Sequence, residues 1–487
     1  MRFALSAGIA VAAATVVLAT QGIAGGATSP FTTVRIPNSS GFTEPRLSVD
    51  PAGKFWLESN APDGSAAVWG SNDGLHWQQT PTEPAGQTSA TTDVDLVTTP
   101  SGRIVETELD DGGINFRTAY SDDGGVTWTQ STGTTFADTD RPWLAADPTP
   151  GSNKVYLLFH NLVSGTATHN MFVETSTDGG ATFGAPIPVT LPGSQAWADL
   201  QCADSGGPSN IFVAPPGSPH AGRVYVAWNT RSSGPVDGVN TGATGGCGAS
   251  VTGSFEINVV GATRIWLAYS DNPTDPTSWV DTLALDDNAS GKLVSYQLAP
   301  GAVDRKGNVY VAYDESPQPY PNYDGAPVKY IWSGPNLKVF SRPITIAAGG
   351  GPGHVLPHII AGDPGNIDVA YWTGQNVGST IRWYTTVAQV THALTPSPTI
   401  VQTRVSNVSS DTGTASVLMG ACDQNAQTGG VENGFACNRT ADVWGIALTP
   451  DCRLTLTWPV RNNVDPANVT TYATTQTAGA HLCTHWP

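Results

Sequence analysis

The chain has 487 residues, of which only 13% are charged, with 54 glycines and 37 prolines. Forty acidic residues against 22 basic ones leave a formal net charge of −18, which argues against nucleic acid or an anionic membrane surface as a partner held by counterion release. Abundant Thr, Val, Trp and turn formers suit short strands rather than helices, and no helical periodicity longer than about two turns appears beyond the N-terminus.

In chain order, Arg2 precedes an apolar run from Phe3 to Ala19, with small residues around Ala24 and Ala27. This reads as a secretory signal peptide over residues 1–27, with an uncleaved anchor as the alternative. No cysteine directly follows it to carry a lipid, and no later stretch is apolar enough to cross a bilayer. The remaining residues, 28–487, read as a single domain of a secreted, extracellular protein.

A strand, turn, strand unit then recurs. It appears at Pro45–Leu57, Val94–Val105, Pro142–Leu157, Asn210–Trp228, Gly301–Tyr313, His358–Tyr371 and Val443–Leu456, seven units in all. Most are followed by a third strand, a turn and a fourth strand. Two of those later turns are near copies, Ser121-Asp-Asp-Gly-Gly-Val-Thr-Trp128 and Ser176-Thr-Asp-Gly-Gly-Ala-Thr-Phe183. Asp123 and Asp178 can accept from nearby backbone N–H groups, and Gly125 and Gly180 can supply positive φ. Degenerate copies fall at Ser71–Trp77, Ser270–Trp279 and Ser333–Phe340.

Ser-x-Asp-x-Gly-x-Thr-Trp/Phe resembles the Asp box of sialidases and other BNR-repeat propellers. The resemblance implies an all-β fold, a β-propeller of four-stranded antiparallel blades, for which a period near fifty residues is the repeat signature. Seven units are counted here, and the six-bladed sialidase type is the alternative. Phe31–Ile36 is expected to close the ring by pairing with the last blade, or His481–Trp486 to do so instead.

If first strands run from top to bottom, the Asp-Pro-x-Gly turns and Asp boxes share the bottom face. The long connections, 188–209, 229–262, 314–328 and 400–441, then gather on top, where binding is expected. The six cysteines lack C-x-x-C spacing, which favours disulfides over zinc. The geometry predicts Cys202 with Cys247, Cys422 with Cys437, and Cys452 with Cys483.

Inner-strand starts converge on the channel at the top. They supply Glu44 and Arg46, Asp93 and Asp95, Asp140 and Arg141, Asp199 with Gln201, His354 and His358, and Asp442 with Arg439. From these, Arg46, Asp95, Asp140, Arg141, Asp199, His358, Arg439 and Asp442 are the substrate-binding candidates. Carboxylates beside arginines in one concavity can place a general acid next to a cationic anchor, although each residue alone could equally cap a strand start. Trp143, Trp197, Trp372 and Trp444 could stack on sugar rings or wedge between blades.

The sialidase resemblance implies three arginines around a carboxylate, an Asp acid/base and a Tyr nucleophile paired with Glu. Val34-Arg35-Ile36-Pro37 matches the family's first-arginine motif, displaced from its usual place, and Arg46 and Arg141 occupy that place better. The third arginine is Arg231, Arg382 or Arg439. Asp63 is the expected acid, and Tyr320, Tyr323 or Tyr371 could pair with Glu315; the catalytic set taken forward is Asp63, Glu315 and Tyr320. Acidic turns at Asp110-Asp111 and Asp286-Asp287 lack EF-hand spacing, so no metal and no cofactor is expected. No Ser-centred elbow, His-Glu-x-x-His or phosphate loop is present. The expected function is an exo-acting glycoside hydrolase of exo-α-sialidase type acting on an extracellular glycan or glycoprotein, as a monomer. The alternative is a non-catalytic propeller that binds glycans or proteins.

Overall fold

The structure, a computed structural model, describes residues 29–60, 65–86, 91–110, 115–133, 139–161, 170–201, 207–230, 262–287, 290, 292–295, 298–316, 325–378, 380–411, 444–461 and 469–484. It is a seven-bladed propeller of antiparallel blades. Strand β1 (Phe31–Ser40) precedes blade 1, which comprises β2 (Thr43–Val49), β3 (Phe55–Asn60), β4 (Ala66–Ser71) and β5 (Trp77–Gln79). Blade 2 is β6 (Thr91–Thr98), β7 (Ile104–Asp110), β8 (Asn115–Ser121) and β9 (Thr129–Gln130). Blade 3 is β10 (Thr139–Ala146), β11 (Val155–Asn161), β12 (Met171–Ser176) and β13 (Ile187–Pro188).

A short helix, α1 (Gln195–Leu200), leads to blade 4: β14 (Pro208–Val213), β15 (Val224–Thr230), β16 (Arg264–Ser270) and β17 (Val280–Asp286). In blade 5 the inner strand is split into β18 (Leu293–Val294) and β19 (Gly301–Val303), both paired with β20 (Val309–Ser316), then β21 (Val328–Ser333) and β22 (Ile344–Ala347). Blade 6 is β23 (His354–Ala361), β24 (Ile367–Val377), β25 (Thr380–Thr391) and β26 (Thr399–Arg404), with β27 (Ser410–Asp411) added on β25. Blade 7 takes β28 (Gly445–Leu448), β29 (Leu454–Arg461) and β30 (Val469–Gln476) from the end of the chain, and β1 as its outermost strand.

The ring is therefore closed by Phe31–Ile36, with Phe31 opposite Gln476 and Arg35 opposite Tyr472. Around His481 there is no strand; Cys483 is instead disulfide-bonded to Cys452, their Cα atoms 5.3 Å apart, as the cysteine geometry anticipated. The other two predicted cysteine pairs lie outside the described residues, as does the leader.

Both faces of each sheet pack against a neighbour, so the strands alternate between two buried surfaces. In β7, Ile104 packs on Trp56 and Val68 of blade 1, while Val105 packs with Leu144 and Leu157 of blade 3. That is why Val224–Trp228 is continuously apolar and wholly buried. Each such buried side chain contributes on the order of 1.5–3 kcal/mol of transfer free energy.

The Asp boxes are hydrogen-bonded turns on the same face as the Asp-Pro-x-Gly turns. Ser121 Oγ donates to Asp123 Oδ1 at 2.9 Å, and that oxygen accepts from the N–H of Val126 and Thr127 at 3.1 and 2.8 Å. Ser176, Asp178 and Thr182 repeat the pattern. These bonds hold the Asp123 carboxyl down at about 2, the Thr127 hydroxyl first among the causes. The box glycines let each turn press on the preceding blade: a Cβ on Gly180 (φ +84°) would lie 2.6 Å from a Val105 methyl.

Candidate functional site

Three inner strands share an unusual bend near the top of the channel. Glu44, Arg141 and Leu356 each have φ between +52° and +55°, each directly precedes a proline, and each lies where the pairing register of β2, β10 or β23 slips. A left-handed residue before proline is disfavoured twice, by its own Cβ and by the proline ring. Strain of this kind is held only where the surroundings over-determine it, and it gathers at binding and reaction sites.

At two of these bends the strained residue is charged, and the two side chains meet. Arg141 Nη1 lies 3.4 Å from Glu44 Oε2 of blade 1 and 3.2 Å from Asp93 Oδ1 of blade 2. The adjacent Asp140 sits opposite His160 in the β10–β11 register, its Oδ2 3.6 Å from His160 Nε2. Gly207, leading into β14, is required there, because a Cβ would come within 2.8 Å of that ring nitrogen. Burial opposes ionisation of Asp140, but hydrogen bonding to His160, the charges of His160 and Arg141, and a hydrogen bond from Asp93 outweigh it and hold the carboxyl well below its ordinary range. The arrangement is an ionised carboxylate set against an imidazole, beside a second carboxyl and an oriented guanidinium. Chemically it can take up, hold and return a proton next to a fixed positive charge.

Below this cluster the channel is plugged. Arg46 Nε donates to Asp95 Oδ1 at 2.9 Å, its Nη1 donates to the Trp444 carbonyl at 3.2 Å, and its guanidinium lies 4.5 Å from the Trp143 ring centre. Asp95 Oδ2 accepts from the N–H of Leu144 at 2.8 Å. Arg46 and Asp95 thus clip blades 1, 2, 3 and 7 together. Beneath the clip a cavity of about 540 Å³ runs to the turn face, lined in part by His358, Ser48, Thr98 and Asn210. His358 stands edge-on to Trp444 with ring centres 5.2 Å apart. His354 reaches Thr373 Oγ1 at 3.1 Å, and burial lowers its pKa.

Other sequence-predicted residues are placed away from this rim. Asp199 lies in α1, not on an inner strand; it is fully buried and accepts from Arg264 at 3.1 Å and Trp266 Nε1 at 3.0 Å. Inner strand β14 begins only at Pro208, because helix α1 and the connection after it intervene. Glu315 is buried between Lys329 and Lys292, at 2.6 and 3.2 Å. Arg35 is on the outermost strand of blade 7 and Arg382 on the third strand of blade 6, so neither joins Arg141. The Tyr371 hydroxyl donates to Gln402. Asp286 is tied to Arg264. Trp143 and Trp444 are buried beside the channel, which makes them packing groups. Asp63, Tyr320, Tyr323, Arg231, Arg439 and Asp442 lie outside the described residues.

His160 was not singled out in the sequence, although its position at the end of an apolar strand facing Asp140 was readable once that pairing was drawn. A second buried charged group, Glu58, Glu106, Glu108 and Arg117, carries no sequence motif. Its signal was parity: Glu58 alternates with Trp56, and Glu106 and Glu108 with Ile104, so all three fall on a buried face.

No protein-family model and no curated protein matches the chain. Solved structures do match in fold. A PL25 ulvan lyase, a polysaccharide lyase, aligns over 90% of this chain and 95% of its own at a TM-score of 0.54 and 11% identity. The same type of enzyme bound to -[GlcA(1-4)Rha3S]- gives 0.52 and 12%, with the same coverage. An α-L-arabinofuranosidase mutant from Fusarium graminearum covers 92% of this chain and 98% of its own at 0.45 and 11%, too distant to carry an argument. At these identities the likeness shows the class of fold, a seven-bladed propeller.

Proposed function

We propose that this chain is an extracellular, glycan-processing propeller whose reaction centre is the Asp140–His160–Arg141 group with Glu44 and Asp93. The observation that carries the proposal is the meeting of five ionisable side chains from three blades at two strained backbone positions. The same bend at Leu356 carries no charge, so it is the meeting of charged side chains at Glu44 and Arg141, and not the bend itself, that marks this rim. Asp140 is the resident carboxylate, His160 exchanges the proton, and Arg141 orients the group. A sugar or uronate ring approaching from the loop face would meet these groups before the Arg46–Asp95 clip. The disulfide accords with an oxidising compartment, and no helix of the described residues is long and apolar enough to cross a membrane.

The narrower reading, exo-α-sialidase, needs two more arginines beside Arg141 and a Tyr–Glu pair, which would have to come from Arg231, Arg439 and Tyr320. The non-catalytic reading has one observation in its favour: Arg141 is already satisfied by Glu44 and Asp93. The deciding experiment incubates purified protein with a fluorogenic sialoside, a panel of chromogenic glycosides and acidic polysaccharides. New reducing ends alone indicate hydrolysis, and reducing ends with an ultraviolet-absorbing unsaturated sugar indicate elimination. Either product, lost in Asp140→Asn, supports the proposal. Binding without turnover on every substrate would replace it with the non-catalytic reading.

A further inference from the structure

The glutamates between blades 1 and 2 have no counterpart in the reaction proposed above. Glu58 stands on β3 between Arg46 and Val68, Glu106 on β7 between Leu96 and Ala119, and Glu108 between Val94 and Arg117. Leu96, Val68, Trp56 and Ile104 form the apolar wall of that interface, so the three carboxylates project into the seam from both sides. All three residues are 0% exposed. One oxygen from each lies within 4.8 Å of the others. Among the described residues, no hydrogen-bond donor is seated on either oxygen of Glu58 or Glu106, and Glu108 is met by Arg117.

Arg117, in contact with Glu108, supplies one positive charge, and its Nη1 donates to the Ala85 carbonyl at 3.2 Å. Ionised together, three carboxylates and one guanidinium would leave two negative charges in this buried seam, which protons or a cation must compensate. A divalent cation closes the balance. Oxygens bound to one calcium ion at about 2.3–2.6 Å stand no more than roughly 5 Å apart, which is the spacing seen. A hard oxygen-only ligand set of this charge selects calcium over transition metals.

We propose that Glu58, Glu106 and Glu108 hold one calcium ion that pins blade 1 to blade 2. The ion replaces the missing hydrogen-bond donors and couples the two blades that carry Glu44 and Asp93.

Terbium is the probe that tests this on the unaltered protein, since Trp56 lies on the same face two residues from Glu58 and can sensitise its luminescence. After chelator treatment and dialysis, terbium is expected to give saturable luminescence displaced by calcium, and calcium is expected to raise the melting temperature. Glu58→Gln and Glu106→Gln should weaken both responses by about tenfold or more, following ligand charge. The isosteric amides keep the shape of the seam, and the wild-type measurement stands even where a variant fails to fold. The proposal is overturned if the chelated wild type neither binds terbium nor gains stability from calcium. It is equally overturned if the glutamine variants respond as wild type does, or if they melt higher with no metal response, which would mean that two protons fill the seam.

Discussion

The carboxylates of the turn face and those of the blade seams belong to one fold and obey opposite rules. Asp123 and Asp178 sit in solvent, each ringed by backbone and hydroxyl donors that stabilise the charged form. Glu174 of β12 is fully buried with both oxygens unpartnered, and burial pushes it up to about 8. In a propeller the ends of a blade tolerate charge because turns supply donors. The seams tolerate it only where another charge, a proton or a ligand compensates. Asp140 lies between the two regimes, half-buried yet held ionised by specific partners.

The comparison can be broken first at the rim. Asp140→Asn should lower turnover of whichever glycan is cleaved by about 10²–10⁴-fold while the melting temperature changes little, as a general acid–base role requires. An equal loss of stability and activity would make Asp140 a mere strand cap. Next, Asp199→Ala leaves Trp266 Nε1 without its buried acceptor and Arg264 with only the more exposed Asp286, and should cost about 3–5 kcal/mol in denaturant unfolding. A cost under about 1 kcal/mol would show that α1 is not anchored through this pair.

The packing of the Asp boxes is sharpened by a pair of glycines. Gly180→Ala, facing Val105, should cost about 1–3 kcal/mol. Gly151→Ala has a similar φ of +79° but open space, and should cost about 1 kcal/mol. Equal costs would mean that contact with the preceding blade is unimportant.

The seam and the turns also differ in the sign of their pH response. Glu174 binds a proton more tightly folded than unfolded. Its contribution is therefore full below its ordinary 4.5 and is lost as pH rises through about 8. Glu174→Gln should flatten that part of the stability profile, and an unchanged slope would contradict its burial. Asp178 is shifted down, so its contribution is present above its ordinary 3.8 and is lost as pH falls below it. Asp178→Ala is the mildest change, about 1 kcal/mol at neutral pH, vanishing in acid.

The repeat was legible because its signals are local: Asp-Pro-x-Gly turns, Asp boxes and strand alternation all act within a dozen residues. Seven units and two candidate closing strands are readable from them; the structure fixes the count at seven and closes the ring with Phe31–Ile36. What was not legible depends on pairing across distance. Helix α1 displaced Asp199 from the inner-strand series, and the inner strand of blade 5 is split into β18 and β19. His160 and the seam glutamates acquire meaning only through partners on other strands or blades. Arg46 and Asp95 were read as substrate groups, but their charges are directed at each other across the channel.

The last blade is built from both ends of the chain, with β1 laid against β30. Strand β1 must therefore wait, unpaired, until β30 has been made. The ring can be completed only then, and Cys452–Cys483 fastens the segment after β30 beside the seam just closed. Such distant pairing predicts slow folding with exposed strand edges, so the dangerous moment for this protein is the interval before β1 meets β30.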